Sequence, residues 1–94
     1  ELAARSPSAV LELNRAIALA ELRGPEAALP AVEALAEEPS LAAYHLVPAT
    51  LGALNRRLGR EDLASGYYRE AAARAPSAAE RRYFEAQVAA LGGG

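Results

Sequence analysis

Apolar residues recur at helical spacing in five stretches of this chain. Over 7–23, Val10, Leu13, Ile17 and Ala20 form one stripe, and Leu11, Ala18 and Leu22 form a second about 100° around. A helix apolar on most sides predicts burial on most sides, more than one neighbouring helix can cover. The pattern therefore predicts a further neighbour for helix one, from a preceding segment or from a homodimer through helix one. Ile17→Asp is accordingly expected to destabilise or dissociate the domain. Over 25–37, Ala28, Leu29, Val32 and Leu35 face a core while Glu33 and Glu37 face water. Over 41–58, Leu51, Leu54 and Leu58 continue the core stripe, with Pro48 in the interior. Pro48 either kinks one long helix or marks a fresh start near itself that leaves 41–46 as a separate turn, and the pattern favours the kink. Leu63, Tyr67, Tyr68 and Ala71 mark a fourth helix over 61–75. Phe84, Val88 and Leu91 give a fifth one apolar stripe, opposite Arg81, Arg82 and Glu85.

The breaks between stretches carry their own chemistry. Ser6 can cap the first helix, and Pro7 suits its first position, where a backbone N–H would be unpaired anyway. Gly24-Pro25 is a stop followed by a start, and Pro30 falls early enough in helix two to be tolerated. Pro76 ends the fourth helix, and Ser77-Ala-Ala-Glu80 is a capping box opening the fifth. The tail Gly92-Gly93-Gly94 is expected to fray. Gly24, Gly59 and Gly92 each close a helical stretch and lie 35 and 33 residues apart. Short turns make consecutive helices antiparallel neighbours. The expected fold is all-α, about five helices in antiparallel helix–turn–helix repeats with a right-handed superhelical or bundle arrangement.

A stop every ~34 residues is the period of the tetratricopeptide repeat. The stretch 45–78 resembles that family: Gly52, Ala64, Ala71 and Pro76 occupy its small-residue and terminating places, and Tyr68 its aromatic place. Pro48 and Asn55 stand where large aromatics are usual. A degenerate unit spans about 10–39, where Leu13, Ala16, Gly24 and Pro39 fit, and the helix over about 78–91 reads as a cap. Two units and a cap are fewer than the three repeats an independent array needs. The sequence starts at Glu1 and contains no Met. All of 1–94 therefore reads as a single helical domain, expected to be a piece of a longer protein.

Composition narrows the function. Alanine and leucine dominate, which favours helix, and every basic side chain is Arg. The net charge of −2 argues against a dedicated nucleic-acid surface. With no Cys and one His, a closed zinc site cannot be built, so no metal and no cofactor is expected. No glycine-rich phosphate loop occurs. No apolar run spans a membrane and no signal peptide is visible, which makes the cytoplasm the default location. Ser65, His45 and Asp62 can be written as a triad, but nothing in their spacing recommends it, and no catalytic residue is expected. His45 reads as a core or interface histidine with one hydrogen bond.

The residues expected to line a concave groove are Asn14, Arg15, Ala18 and Glu21 of helix one with Ala49, Ala53 and Arg56 of helix three. Asn14 and Glu21, seven residues apart, would share a helix face as a polar lining for a partner peptide. Alternatively, Asn14 is buried and bonded to a neighbouring helix. Arg56, Arg57 and Arg60 read as cations stabilising a helix C-terminus.

A more specific resemblance comes from segments taken in order. Ser6-Pro7-Ser8-Ala9-Val10, Leu13-Asn14-Arg15-Ala16, Gly24-Pro25-Glu26-Ala27, Tyr44-His45-Leu46, Arg57-Leu58-Gly59-Arg60 and Ala79-Glu80-Arg81 together are similar to the C-terminal extension of a group of bacterial extracytoplasmic-function sigma factors. The likeness covers nearly the whole chain. It implies a tetratricopeptide-like regulatory module whose partners are the sigma domains of the parent chain or RNA polymerase. Promoter DNA would be read by the parent's upstream domains and not by this segment. The other reading from the repeats is a general adaptor that captures partner peptides.

Overall fold

The computed structural model of the chain describes residues 7–92. Five α-helices follow one another: α1 Pro7–Arg23, α2 Pro25–Ala36, α3 Leu46–Arg57, α4 Glu61–Arg74 and α5 Ala78–Ala90. A 3-10 turn, Pro39–Leu41, lies between α2 and α3. No strand occurs among the described residues. The all-α reading holds, and the helix limits fall within two residues of those expected except in α3. Ser6, the expected cap of α1, and Gly93 and Gly94 lie outside the described residues.

The glycine stops are backbone conformations that other residues resist. Gly24, Gly59 and Gly92 have φ of +93°, +78° and +70°. At Gly59 the chain closes α3 with a paired cap: the Gly59 N–H donates to the Arg56 carbonyl at 3.0 Å and the Arg60 N–H to the Asn55 carbonyl at 2.9 Å. Those two bonds occupy carbonyls that would otherwise end the helix unpaired. A Cβ on Gly59 would meet no atom within 4 Å, so Gly59→Ala tests the backbone alone. It is expected to cost about 1–2 kcal/mol, the ordinary penalty for an L-residue in this region, read by urea denaturation.

Pro48 corrects one expectation. The kinked long helix is not formed; α3 starts afresh at Leu46, and 42–45 runs as turns. Pro48 is then the third residue of α3, where a missing N–H costs no intrahelical bond. The stretch before it is anchored by Leu41, which is buried in the core.

Each helix packs against the next in sequence. The main core joins Leu13, Ala16 and Ala20 of α1, Ala28 and Val32 of α2, Leu41, and Val47, Leu51 and Leu54 of α3. A second cluster joins Ala64, Tyr68 and Ala71 of α4 to Phe84 and Val88 of α5. Gly52 links the two halves: a Cβ there would lie 3.1 Å from the Tyr68 ring. The thinnest dimension is 19 Å, which is two helix diameters.

Helix one differs from its pattern. Ala9, Leu13, Ala16 and Ala20 form its buried face. Leu11 is 51% exposed and Leu22 83%, so the second stripe stays uncovered by α2–α5, and Ile17 of the first stripe is itself 40% exposed. Ile17 stands at the edge of a groove and not in a core. Its substitution by Asp therefore falls on what the groove holds more than on folding.

Candidate groove over the third helix

Successive chain reversals send α1, α3 and α5 in the same direction, and three contacts mark that alignment. At one end Arg57, last residue of α3, lies 3.7 Å from Glu21 in the last turn of α1. At the other, His45 Nε2, just before α3, lies 3.4 Å from Glu80 Oε2 in the first turn of α5. Arg56 donates to Gln87 Oε1 between the later turns of α3 and α5. Alpha3 thus forms a floor with α1 and α5 as walls.

Between those walls is a groove of about 540 Å³. Leu46, Ala49, Thr50, Ala53 and Arg57 line its floor. Ile17, Ala20 and Glu21 form one wall, and Ala79, Glu80, Tyr83 and Phe84 the other. The surface is mostly apolar, and its charges stand at the two ends.

The end near His45 is built from aromatic packing and a capping box. Ser77 Oγ accepts the Glu80 N–H at 3.1 Å, and the same hydroxyl donates to Glu80 Oε1 at 2.8 Å. The cap fixes the carboxylate, so that its other oxygen faces His45. The His45 ring meets Tyr44 edge-on at 5.5 Å and tilts over Phe84 at 6.1 Å. Phe84 in turn stacks on Tyr68 at 6.4 Å. His45 thus packs between the Tyr44 and Phe84 rings with its Nε2 3.4 Å from the Glu80 carboxylate.

Burial pushes the Tyr68 phenol above its ordinary value of 10.0, and proximity to Tyr83 adds to the shift. Arg56, which hydrogen-bonds the phenol, acts the other way. A raised pKa means the folded state holds its proton to higher pH than the unfolded chain does. Stability from this group is present below pH 10 and is lost as pH rises through the folded value. Alkaline unfolding is expected to set in above about pH 10 and to be blunted in Tyr68→Phe, as followed by circular dichroism.

Of the residues expected in the groove, Glu21, Ala49 and Ala53 line it. Asn14, Arg15 and Ala18 do not. Asn14 is exposed, so the buried-asparagine alternative is wrong for it. The seven-residue spacing sets it two turns before Glu21, just beyond the end of the groove wall at Ile17. Arg15 pairs with Glu12 at 2.8 Å on the surface. Arg56 does not line the groove either; it donates to Gln87 Oε1. The buried asparagine is Asn55, whose Nδ2 donates to the Leu51 carbonyl at 2.8 Å. Sequence reading missed Tyr83, Phe84 and Glu80 as groove walls. The available signal was that His45 and Glu80 lie 35 residues apart, the same interval as the first two glycine stops.

Among the described residues no three His, Cys, Asp or Glu side chains cluster as metal ligands. No helix there is long and apolar enough to cross a membrane.

No protein-family model matches the chain, and no solved structure matches it. The chain is similar to an uncharacterized protein of Rhizobium meliloti (strain 1021), 40% identical over 82 residues. That match covers 87% of this chain and 19% of the relative, so the likeness is to one segment of a much longer protein.

Proposed function

We propose that this chain is a protein-docking module with no catalysis of its own, acting as the regulatory C-terminal extension of a sigma factor. Its partner is then the sigma domains of its own polypeptide or RNA polymerase in the cytoplasm, with promoter DNA contacted only by the upstream domains. The observation that carries the docking reading is the groove over α3. It is apolar along its length, walled by two helices and charged only at its ends, the pattern of sites that take an apolar surface and orient it by a few polar groups. The sigma-factor reading is supported by the ordered segments from Ser6-Pro7 to Ala79-Glu80-Arg81. A relative that matches over only 19% of its length agrees with a module carried by a larger protein.

The test removes residues 1–94 from the full-length protein and measures promoter-specific transcription and its regulation. Loss or deregulation is expected. Unchanged activity with unchanged regulation would refute the proposal, and upstream sequence made only of further helical repeats would favour a general peptide adaptor.

A further inference from the structure

We infer that α5 is a movable wall of the groove: it undocks as a unit about residues 75–77 while α1–α4 stay folded, so the groove exists only while α5 is closed. How that motion bears on docking rests on the docking reading above; the motion itself does not.

The apolar packing divides the chain unevenly. Helix α1 gives Ala9, Leu13, Ala16 and Ala20 to the main cluster, where they meet α2, the 3-10 turn and α3. Helix α5 gives that cluster nothing. Its buried side chains are Phe84 and Val88, and they meet Ala64, Tyr68 and Ala71 of α4. Helix α4 is held from its other side as well: a Cβ on Gly52 of α3 would lie 3.1 Å from the Tyr68 ring. Departure of α5 therefore leaves the α3–α4 contact in place.

The junction between α4 and α5 has the form of a hinge. Ala75 (φ −61°, ψ 132°) and Ser77 (φ −142°, ψ 160°) are extended on either side of Pro76, which has no N–H to donate. The Ala75 N–H donates back to the Ala72 carbonyl and the Arg81 N–H back to that of Ser77, so among the described residues no backbone hydrogen bond crosses Pro76. The turn between α3 and α4 differs, because there the Arg60 N–H donates to the Asn55 carbonyl of α3. Ser77 accepts the Glu80 N–H, so α5 takes its own cap along when it moves.

Across the groove, α5 reaches α3 through side chains. His45 Nε2 lies 3.4 Å from Glu80 Oε2, the His45 ring tilts over Phe84 at 6.1 Å, and Arg56 donates to Gln87 Oε1. The two polar contacts are exposed on the α5 side or on both, and contacts of that kind add little to stability. Phe84 and Val88 are thus the main closure. Elements held by few buried apolar contacts open at a lower free energy than the whole domain. Opening takes Glu80, Tyr83 and Phe84 out of the wall and uncovers the Tyr68 ring on which Phe84 stacks. An occupant that touches both floor and wall binds the closed form, so docking and closure of α5 support each other.

The test is hydrogen exchange of the whole 94-residue chain under native conditions in rising urea. It needs no partner, so its failure is distinguishable from failure of the docking reading, which the transcription test decides. Amides of 82–90 are expected to exchange at least about tenfold faster than those of Leu13, Leu51 and Leu54, with one shared urea slope smaller than the global one. Val32→Ala, in the main cluster, should speed exchange at Leu13, Leu51 and Leu54 about tenfold or more and leave 82–90 unchanged within about twofold, because α1–α3 stay folded when α5 opens. In Phe84→Ala, 82–90 should lose protection while Leu13, Leu51 and Leu54 keep theirs. Equal exchange in all these amides, fraying of 82–90 from its end with no urea slope, joint acceleration in Val32→Ala, or unfolding of the whole chain by Phe84→Ala would each overturn the inference.

Discussion

Leu51→Ala is expected to destabilise the chain by about 2–5 kcal/mol, the usual range for removing a buried leucine without full collapse of the cavity. Leu51 is 2% exposed and sits in the cluster that joins α1, α2, the 3-10 turn and α3. No second core backs that cluster, because the other apolar group is confined to α4 and α5 with Ala49 beside it. Domains hold only about 5–15 kcal/mol in total, so the variant removes a large share. The measurement is the urea midpoint at unchanged slope, with Leu63→Ala as control. Leu63 is exposed, and its truncation should stay within about 0.5 kcal/mol.

Ala64→Leu is the second large effect and acts by the opposite physics. Ala64 is fully buried where α4 meets α3. That crossing is already tight, since even one carbon on Gly52 would lie 3.1 Å from the Tyr68 ring. Three added heavy atoms must displace a neighbour, at an expected cost of about 1–3 kcal/mol. In a domain of this size that lowers the melting temperature by about 4–8 °C per kcal/mol. Because Tyr68 stacks on Phe84, the strain should also loosen α5, visible as faster amide exchange in 78–90 than in α1.

The local rules of the fold were legible and the tertiary ones were not. Positive φ at Gly24, Gly59 and Gly92 and the Ser77–Glu80 cap follow from chemistry within a few residues. Pro48 was ambiguous because proline fits both a helix interior, at a cost, and a first turn, at none. The structure takes the cheaper option. Helix one shows the other limit. Its periodicity gives two apolar stripes, but which one is covered depends on where α2 and α3 lie. The groove was half legible for the same reason. Ala49, Ala53 and Glu21 were placed by helix phase, whereas Arg56 is claimed by Gln87, 31 residues away, and Glu80 by His45. Those pairings exist only once α5 lies parallel to α3.

The most direct test compares two substitutions in the full-length protein: Ala53→Glu on the groove floor and Leu63→Glu on the exposed side of α4. Both positions are exposed, so both variants should fold with closely similar melting temperatures. Promoter-specific transcription or its regulation should shift in Ala53→Glu toward that of the protein lacking residues 1–94, and should be unchanged in Leu63→Glu. If Ala53→Glu transcribes and responds as the unaltered protein does, the groove is not the docking site.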